Sequence, residues 1–513
     1  MMAKVKIPIL LFAVLILTPF VRAQERVNKP QLARQARFEF LHAWNGYKKY
    51  AWGHDDLKPL SKTYHDWYAE SLLMTPVDGL DTMILMGLKD EAKSTREYIV
   101  KNLSFDKDIS VQNFEITIRL LGGLLSSYQL TGDKRLLDLA EDLGNRLLPV
   151  FDSPTGLPYR YVNLKTGKVR GNVTNPAEAG TLLIEFGTLS KLTHKPIFYD
   201  KAKRALVETY KRRSPIGLVG TWINVETGQW TDTDSHISGA IDSYYEYLLK
   251  CAILFDDEDC RRMWQDSIAA INKYLAQPML HDLLYAGGNT GTQVKEPELW
   301  YGHADMNTGM RTAMIYGALD AFFPALLALS GDLDRARRLQ ESSFKAWSLY
   351  GIEPEELNYD SMQIISPGYP LRPEIIESTY YLYHYAIAND RSETGGRPKL
   401  GARTSRPQYF SSFRRGALPL AGGQRAPLNA AHYQQMGQVL FENFVKHCRT
   451  DEGYAGLKSV VTKEKTDSMQ SFLFAETFKY FYLLFASPKT LDFDRVIFNT
   501  EAHPMRREWR PAR

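Results

Sequence analysis

The chain reads as an all-α protein, an (α/α)7 barrel with short β-hairpins at one mouth. Three observations predict this. Apolar residues recur at helical spacing through most of the body, compact Gly-Asp or Asp-Asp punctuation separates consecutive helical runs, and strand signals are confined to short connectors. Helical candidates fall near 31–51, 77–87, 90–102, 112–130, 134–149, 177–192, 197–211, 238–254, 258–276, 313–329, 333–349, 372–388, 430–447 and 468–486. They form seven consecutive pairs, and serial hairpins that each bury one face can close into a ring of inner and outer helices.

The segment holding Phe114, Ile118, Leu121, Leu125 and Tyr128 shows the pattern clearly, with one apolar face repeating every three or four residues. Thr131-Gly132-Asp133 follows it. The Gly can stop a helix and the Asp can cap the next, which runs through Leu136, Leu139, Ala140, Leu143 and Leu147. Ser330-Gly331-Asp332 repeats the device, and Asp256-Asp257 separates two further stretches. Strands are expected at Pro158-Tyr159-Arg160-Tyr161-Val162 and at Leu218-Val219-Gly220-Thr221-Trp222-Ile223-Asn224, each followed by a Thr-Gly turn.

Residues 1–23 read as a cleavable secretory signal. Lys4 and Lys6 precede the apolar run Ile7 to Val21, and Val21-Arg22-Ala23 offers a small-residue cleavage site. A stable membrane anchor is not expected, because Pro8 and Pro19 interrupt a run too short to span a bilayer. Export fits a secreted or periplasmic protein, or a secretory lumen in a eukaryote. Three cysteines exclude a disulfide framework, although Cys251 and Cys260 could pair. With 44% hydrophobic and 12% aromatic residues the chain can bury a large core. We expect one barrel over 24–504, a C-terminal tail over 505–513, and a monomer.

The net charge of +4 is a property of one segment. Between 391 and 428, Arg391, Arg397, Lys399, Arg403, Arg406, Arg414, Arg415 and Arg425 face the single acid Glu393, so the rest of the chain is acidic overall. No nucleic-acid face is needed to explain the charge. The segment is rich in Gly, Pro, Ser and Arg and lacks helical periodicity, which predicts a mobile inserted loop.

Four acid-bearing motifs occur in order: Phe114-Glu115-Ile116-Thr117-Ile118-Arg119, Ile241-Asp242-Ser243-Tyr244-Tyr245-Glu246-Tyr247, Leu371-Arg372-Pro373-Glu374-Ile375-Ile376-Glu377-Ser378 and Phe498-Asn499-Thr500-Glu501-Ala502-His503-Pro504. Cleaving a glycosidic bond needs a proton for the departing oxygen and a second carboxylate to activate water or attack the anomeric carbon. Taken singly, each motif acid is equally an ordinary half-buried structural carboxylate. Together the motifs resemble the class I α-1,2-mannosidases, glycoside hydrolase family 47, over roughly residues 35–504.

That resemblance implies an (α/α)7 barrel and carries roles onto particular residues. Glu115 becomes the general acid with Arg119 positioning it, Asp242 orients the protonating water or shares that role, and Glu374 becomes the base, with Arg372 beside it. The Asn-Thr-Glu-Ala-His-Pro segment implies one Ca2+ on the carbonyl and hydroxyl of Thr500, within a lining of Glu178, Glu377, Glu476 and Glu501. Hard oxygen donors of this kind suit calcium. Phe472 matches a ring that stacks under a terminal mannose, although Phe474 and Phe478 share its helical context. The implied substrate is a mannose-containing oligosaccharide or glycoprotein glycan, cleaved with inversion.

Some positions depart from the family. Ala240 stands where many processing enzymes carry Arg, Ile116 replaces a Thr, and Gln470 replaces a common Glu. Ala304-Asp305-Met306-Asn307 and the stretch from Tyr316 to Leu326 are similar to the endoplasmic-reticulum degradation-enhancing branch. A compact chain with only a signal peptide would suit a bacterial member. Two alternatives stay open: a catalytically weak mannose-binding lectin of the same fold, and an (α/α)-barrel glycosidase acting on another sugar.

Overall fold

The computed structural model describes residues 27–279, 297–393 and 428–507. The expected signal at 1–23 and most of the basic stretch 391–428 lie outside the described residues. Seven outer helices span Lys29–Tyr50, Lys89–Asn102, Lys134–Leu147, Pro196–Lys211, Glu258–Tyr274, Leu333–Tyr350 and Ala430–Cys448. Seven inner helices alternate with them, at Met74–Leu85, 113–131, 176–193, Asp242–Phe255, 318–330, Glu374–Glu393 and 473–485. Each inner helix packs on the next, and the last, 473–485, packs back on Met74–Leu85, so the ring is closed. The first outer helix, Lys29–Tyr50, covers the last inner one. This is the (α/α)7 barrel that the periodicity implied.

The inter-helix punctuation works as its residue types require. Gly132 closes the 113–131 helix at φ 75°, with its N–H on the Tyr128 carbonyl, and the Asp133 carboxylate accepts from Arg135 N–H at 3.2 Å. Gly331 and Asp332 repeat this, with φ 91° and an Arg335 N–H. At Asp256-Asp257 a non-Gly residue takes the left-handed conformation, φ 58°, and Asp257 caps the next helix at Cys260 N–H. These short turns join inner to outer helices and so gather at one end of the barrel.

The return connections are long and carry the hairpins. Small three-stranded sheets stitch neighbouring connectors together: Ser110–Gln112 with Tyr161–Asn163 and Val169–Arg170, and Val173–Thr174 with Trp222–Asn224 and Trp230–Asp232. Because every inner helix starts from such a connector, all seven N-termini open on this strand-bearing mouth. One hairpin does otherwise. Val496–Phe498 pairs antiparallel with Pro504–Arg506 after the last inner helix, so the chain joins the fold beyond residue 504, where the sequence pattern suggested a tail.

Several helix starts differ from expectation, and strained backbone explains two of them. Ala240 at φ 74° and Leu371 at φ 69° turn the chain just before the helices that begin at Asp242 and Glu374. The apolar periodicity ran through the corner at Ala240 and placed that start four residues early, and it placed the start after Leu371 two residues early. At the other end, the helix expected to stop near 388 continues to Glu393. Before Ala318, strands Arg311–Ala313 and Ile315–Gly317 occupy what looked like helix. Cys251, Cys260 and Cys448 are free and buried.

Ring closure depends on a close approach at Gly46, where a Cβ would overlap the Glu452 carbonyl on the hairpin connector leading into the last inner helix. Gly46→Ala is therefore expected to destabilise the fold by about 1–3 kcal/mol by overpacking. Denaturant unfolding checks this, and an unchanged midpoint would place the closure elsewhere.

Candidate active site

One consequence of parallel inner helices is a ring of acids. Each inner helix carries a carboxylate within its first five residues: Asp78, Glu115, Glu178, Asp242, Asp320, Glu374 and Glu476. Helix N-termini favour negative charge, through unpaired N–H groups and the aligned peptide dipoles. The fold therefore collects acids at one mouth.

Glu115 accepts from Arg119 Nε at 2.9 Å, and the same guanidinium bonds Glu501 and lies 3.7 Å from Asp78. Arg119 is 7% exposed and sits between two aromatic faces, Trp67 at 5.1 Å and Phe472 at 5.7 Å from the ring centres. It stands in a π-helical turn, Thr117–Leu121, and Glu476 stands in a second, Leu473–Thr477. Such turns rotate a side chain relative to the regular helix. A half-open cavity of about 520 Å³ adjoins this corner, lined in part by His65, Trp67, Tyr68, Gln112, Tyr161 and Gln470.

Asp242 accepts from Ser243 N–H at 2.7 Å, yet burial first, and Glu246 next, push its pKa up to about 7. Glu374 is likewise pushed up to about 7 by burial, with Arg372 opposing and Glu355 and Asp242 adding to it. Its Oε2 is buried without a hydrogen-bond partner. Arg372 is held by Glu355, with Nε at 3.2 Å, so the guanidinium is fixed beside Glu374 rather than bonded to it. Both carboxyls are thus poised near neutrality, which is the range an acid–base pair needs.

The remaining predicted residues separate into two groups. Glu377, Glu476 and Glu501 converge with Glu374: burial raises Glu377 and Glu501 to about 8, and Glu476 is driven well up by burial and then by Glu501, Glu374 and Glu377. Glu377 accepts from Tyr480 Oη at 3.2 Å. Glu178 stands apart from this crowd, paired with Arg160 through Nη2 at 2.6 Å and accepting a hydrogen bond from Gln112 Nε2 at 2.9 Å. Thr500 is half-buried at the tip of the last hairpin, its N–H donating to Tyr247 Oη at 3.3 Å.

That hairpin enters from the short-turn end and is anchored by groups that sequence reasoning missed. His503 bonds Asp81 at 2.7 Å and Asp78 at 3.3 Å, and Lys479 pairs with Asp81 at 2.9 Å and donates to the Ala502 carbonyl at 2.6 Å. All four side chains are fully buried. Although burial opposes both charges, Lys479 and His503 hold Asp81 down at about 2, while Asp81 and Asp78 raise His503 to about 9. Asn499 fixes the turn, accepting from Glu501 and His503 N–H and donating to the Ile118 carbonyl at 2.9 Å. The available signal was charge within apolar helix, as in Val77-Asp78-Gly79-Leu80-Asp81 and Phe478-Lys479-Tyr480.

The mouth of this closed ring concentrates carboxylates near neutrality, the equipment that cleaving a glycosidic bond needs. The glycosyl hydrolase family 47 model matches residues 39–394 and 429–507, and the chain belongs to that family. It is 36% identical to an α-mannosidase I of Arabidopsis thaliana, over 93% of this chain and 70% of the relative. It is also 33% identical to endoplasmic-reticulum degradation-enhancing α-mannosidase-like protein 2 of Mus musculus, over 91% and 76% respectively. The solved α-1,2-mannosidase of Trichoderma reesei superposes with a TM-score of 0.76 at 25% identity, covering 93% of this chain and 99% of that one. The protein is accordingly a glycoside hydrolase.

The raised acids make a stability prediction. A carboxyl whose folded pKa exceeds its unfolded value binds protons more strongly when folded, so stability falls as pH rises between the two. For Asp242, Glu374, Glu377 and Glu501 that window runs from about 4 to about 8, and His503 extends it, losing its contribution as pH rises through about 9. In chelator, the denaturant midpoint should decline steadily from pH 5 to pH 9. A midpoint that rises over this range contradicts the clustering.

Proposed function

We propose that the protein is a calcium-dependent, inverting exo-α-1,2-mannosidase that releases terminal mannose from high-mannose glycans or α-1,2-linked mannobiose. The observation that carries this reading is the pairing of a partnerless buried carboxylate oxygen on Glu374 with a pKa near 7 on both Glu374 and Asp242. Glu374 is the base that takes a proton from water. Glu115, held by Arg119, is the general acid for the departing oxygen, and Asp242 orients the protonating water or shares that role. Arg372 stays charged beside Glu374 and favours its ionised form. Phe472 and Arg119 form a platform for the terminal sugar. The relatives that carry α-1,2-mannosidase names support the substrate class.

The donor set fits calcium. Glu374, Glu377, Glu476 and Glu501 crowd one another at burial too deep for solvent to screen, and a dication relieves repulsion that Arg119 and Lys250 only partly offset. The Thr500 carbonyl and hydroxyl would hold the ion, with Glu377, Glu476 and Glu501 holding its waters, while Glu178 is already committed to Arg160. Bound there, the ion supplies a Lewis-acidic anchor for sugar hydroxyls. A monomer exported through a secretory route completes the reading. Among the described residues no helix is long and apolar enough to cross a membrane.

Free mannose released from an α-1,2-linked disaccharide, lost on chelation and restored by calcium, tests the proposal. Tight mannose binding without release would favour a lectin instead. Glu374→Gln should cost on the order of 10²–10⁴-fold in turnover with sugar binding retained. Proton NMR of the first product should show β-mannose, because water arrives opposite the departing group. Initial α-mannose would exclude inversion. Glu115→Gln should harm an activated aryl mannoside less than the disaccharide.

A further inference from the structure

Outside the carboxylate ring, the mouth holds a second cluster of metal-ligating side chains. Strand Asp234–Ser235 pairs antiparallel with His303–Asp305, which brings Asp234, His236 and His303 together. One donor atom from each lies within 4.8 Å of the other two. The two imidazoles stack at 4.4 Å with 28° between their planes. We propose that Asp234, His236 and His303 form a binding site for a divalent transition metal of the zinc class, which clamps the two rim connectors together.

The chemistry of the donors selects the ion. Two imidazole nitrogens and one carboxylate suit zinc, nickel or copper, whereas calcium and magnesium favour oxygen alone. The site is therefore distinct in kind from the all-oxygen surround of Thr500.

Hydrogen bonding shows which lone pair is ready. Thr221 Oγ1 donates its hydrogen to the Asp234 carbonyl at 2.7 Å, so towards His236 Nε2, 3.3 Å away, it can only accept. Ser238 N–H donates to His236 Nδ1 at 3.2 Å. His236 therefore carries its proton on Nε2, with an acceptor already in place, and the lone pair on Nδ1. An acceptor such as Thr221 Oγ1, bonded to the ring nitrogen that does not face the metal, orients a metal-bound imidazole. Metal binding exchanges one long contact to the Ser238 amide for a coordinate bond.

His303 lies 2.7 Å from the Asp234 carboxylate, whose other oxygen accepts from Thr312 at 2.6 Å. Asp234 and His303 side chains are 31% and 17% exposed, which leaves an entry path and room for water as a further ligand. The other Cys/Asp cluster, Cys251, Asp257 and Cys260, does not match it: the Lys203 ammonium bonds Asp257 and sits 3.3 Å from Cys260 Sγ, where a cation would have to go.

The placement gives the clamp a consequence. The Ser238 carbonyl accepts from Ile241 and Asp242 N–H at 3.1 and 3.0 Å, so the segment leaving His236 ends on the catalytic helix. Metal at His236 fixes that segment to the strand at His303.

The test is metal binding, independent of activity. The full chain is stripped of transition metals, kept in saturating calcium and titrated with Zn2+ alone by calorimetry, with bound metal counted by mass spectrometry. One Zn2+ per chain is expected, with a thermal midpoint that rises on addition. His303→Gln and Asp234→Asn should each weaken binding by about tenfold or more and abolish the midpoint rise, with circular dichroism unchanged. Cys260→Ser should bind as the parent does. Substituted Co2+ should show the visible absorption of a low-coordinate nitrogen and oxygen site. The proposal is overturned if the parent binds no stoichiometric zinc, or if both variants keep it undiminished.

Discussion

Everything at the mouth of this barrel follows from one electrostatic constraint: seven inner helices run in the same direction, so seven N-termini converge and each can hold an acid. A single buried carboxylate costs several kcal/mol unless it is paired or protonated. Here the pairing is deliberately incomplete. Arg119 serves Glu115, Glu501 and Asp78 at once, and Arg372 is committed to Glu355 while still facing Glu374. Acids thus outnumber the cations beside them, and burial, joined by this surplus, raises their pKa values to near 7 and 8. Incomplete pairing is what keeps Glu374 and Asp242 able to exchange protons.

The opposite end of the barrel resolves the same problem differently. Asp81 is paired by both His503 and Lys479, His503 also reaches Asp78, and the hairpin that brings His503 is thereby locked into the axis. Two acids one helical turn apart on Met74–Leu85 act in both settings, since Asp78 also approaches Arg119. The first network fixes the turn that carries Thr500, and the second leaves carboxylates incompletely paired. Because His503 and Thr500 share one tight turn, held by Asn499, rigidity in the first network is transmitted directly to the second.

Much of the fold was legible because it rests on repetition. Apolar spacing and three-residue turns such as Thr131-Gly132-Asp133 repeat often enough that fourteen helices could be placed from local pattern alone. The motif acids were legible for a different reason: four motifs in order carried a family resemblance, whereas each acid taken singly reads equally as a structural carboxylate. Corners were not legible. Ala240 and Leu371 adopt left-handed backbone that neither side chain favours, and only surrounding packing holds them there. Glu178 was grouped with the lining acids through the family resemblance, which says nothing of its partner. Its neutralisation depends on Arg160, which reaches it from a connector whose path is set by pairing between strands.

The two π-helical turns explain why even a correct residue list falls short of a site. A regular helix through 113–131 would place Arg119 one turn above Glu115 on a common face, which is all that the spacing predicts. The extra residue in Thr117–Leu121 changes the rotation from that point on, and the same insertion at Leu473–Thr477 turns Glu476 relative to Phe472. Arg119 stands within the first of these turns and Phe472 just before the second, and the two side chains meet. The distortion weakens backbone hydrogen bonding in two buried helices, a cost that packing alone would not select. It persists where the rotated side chains gain charged and aromatic partners, and in this barrel those partners are the carboxylates at the mouth.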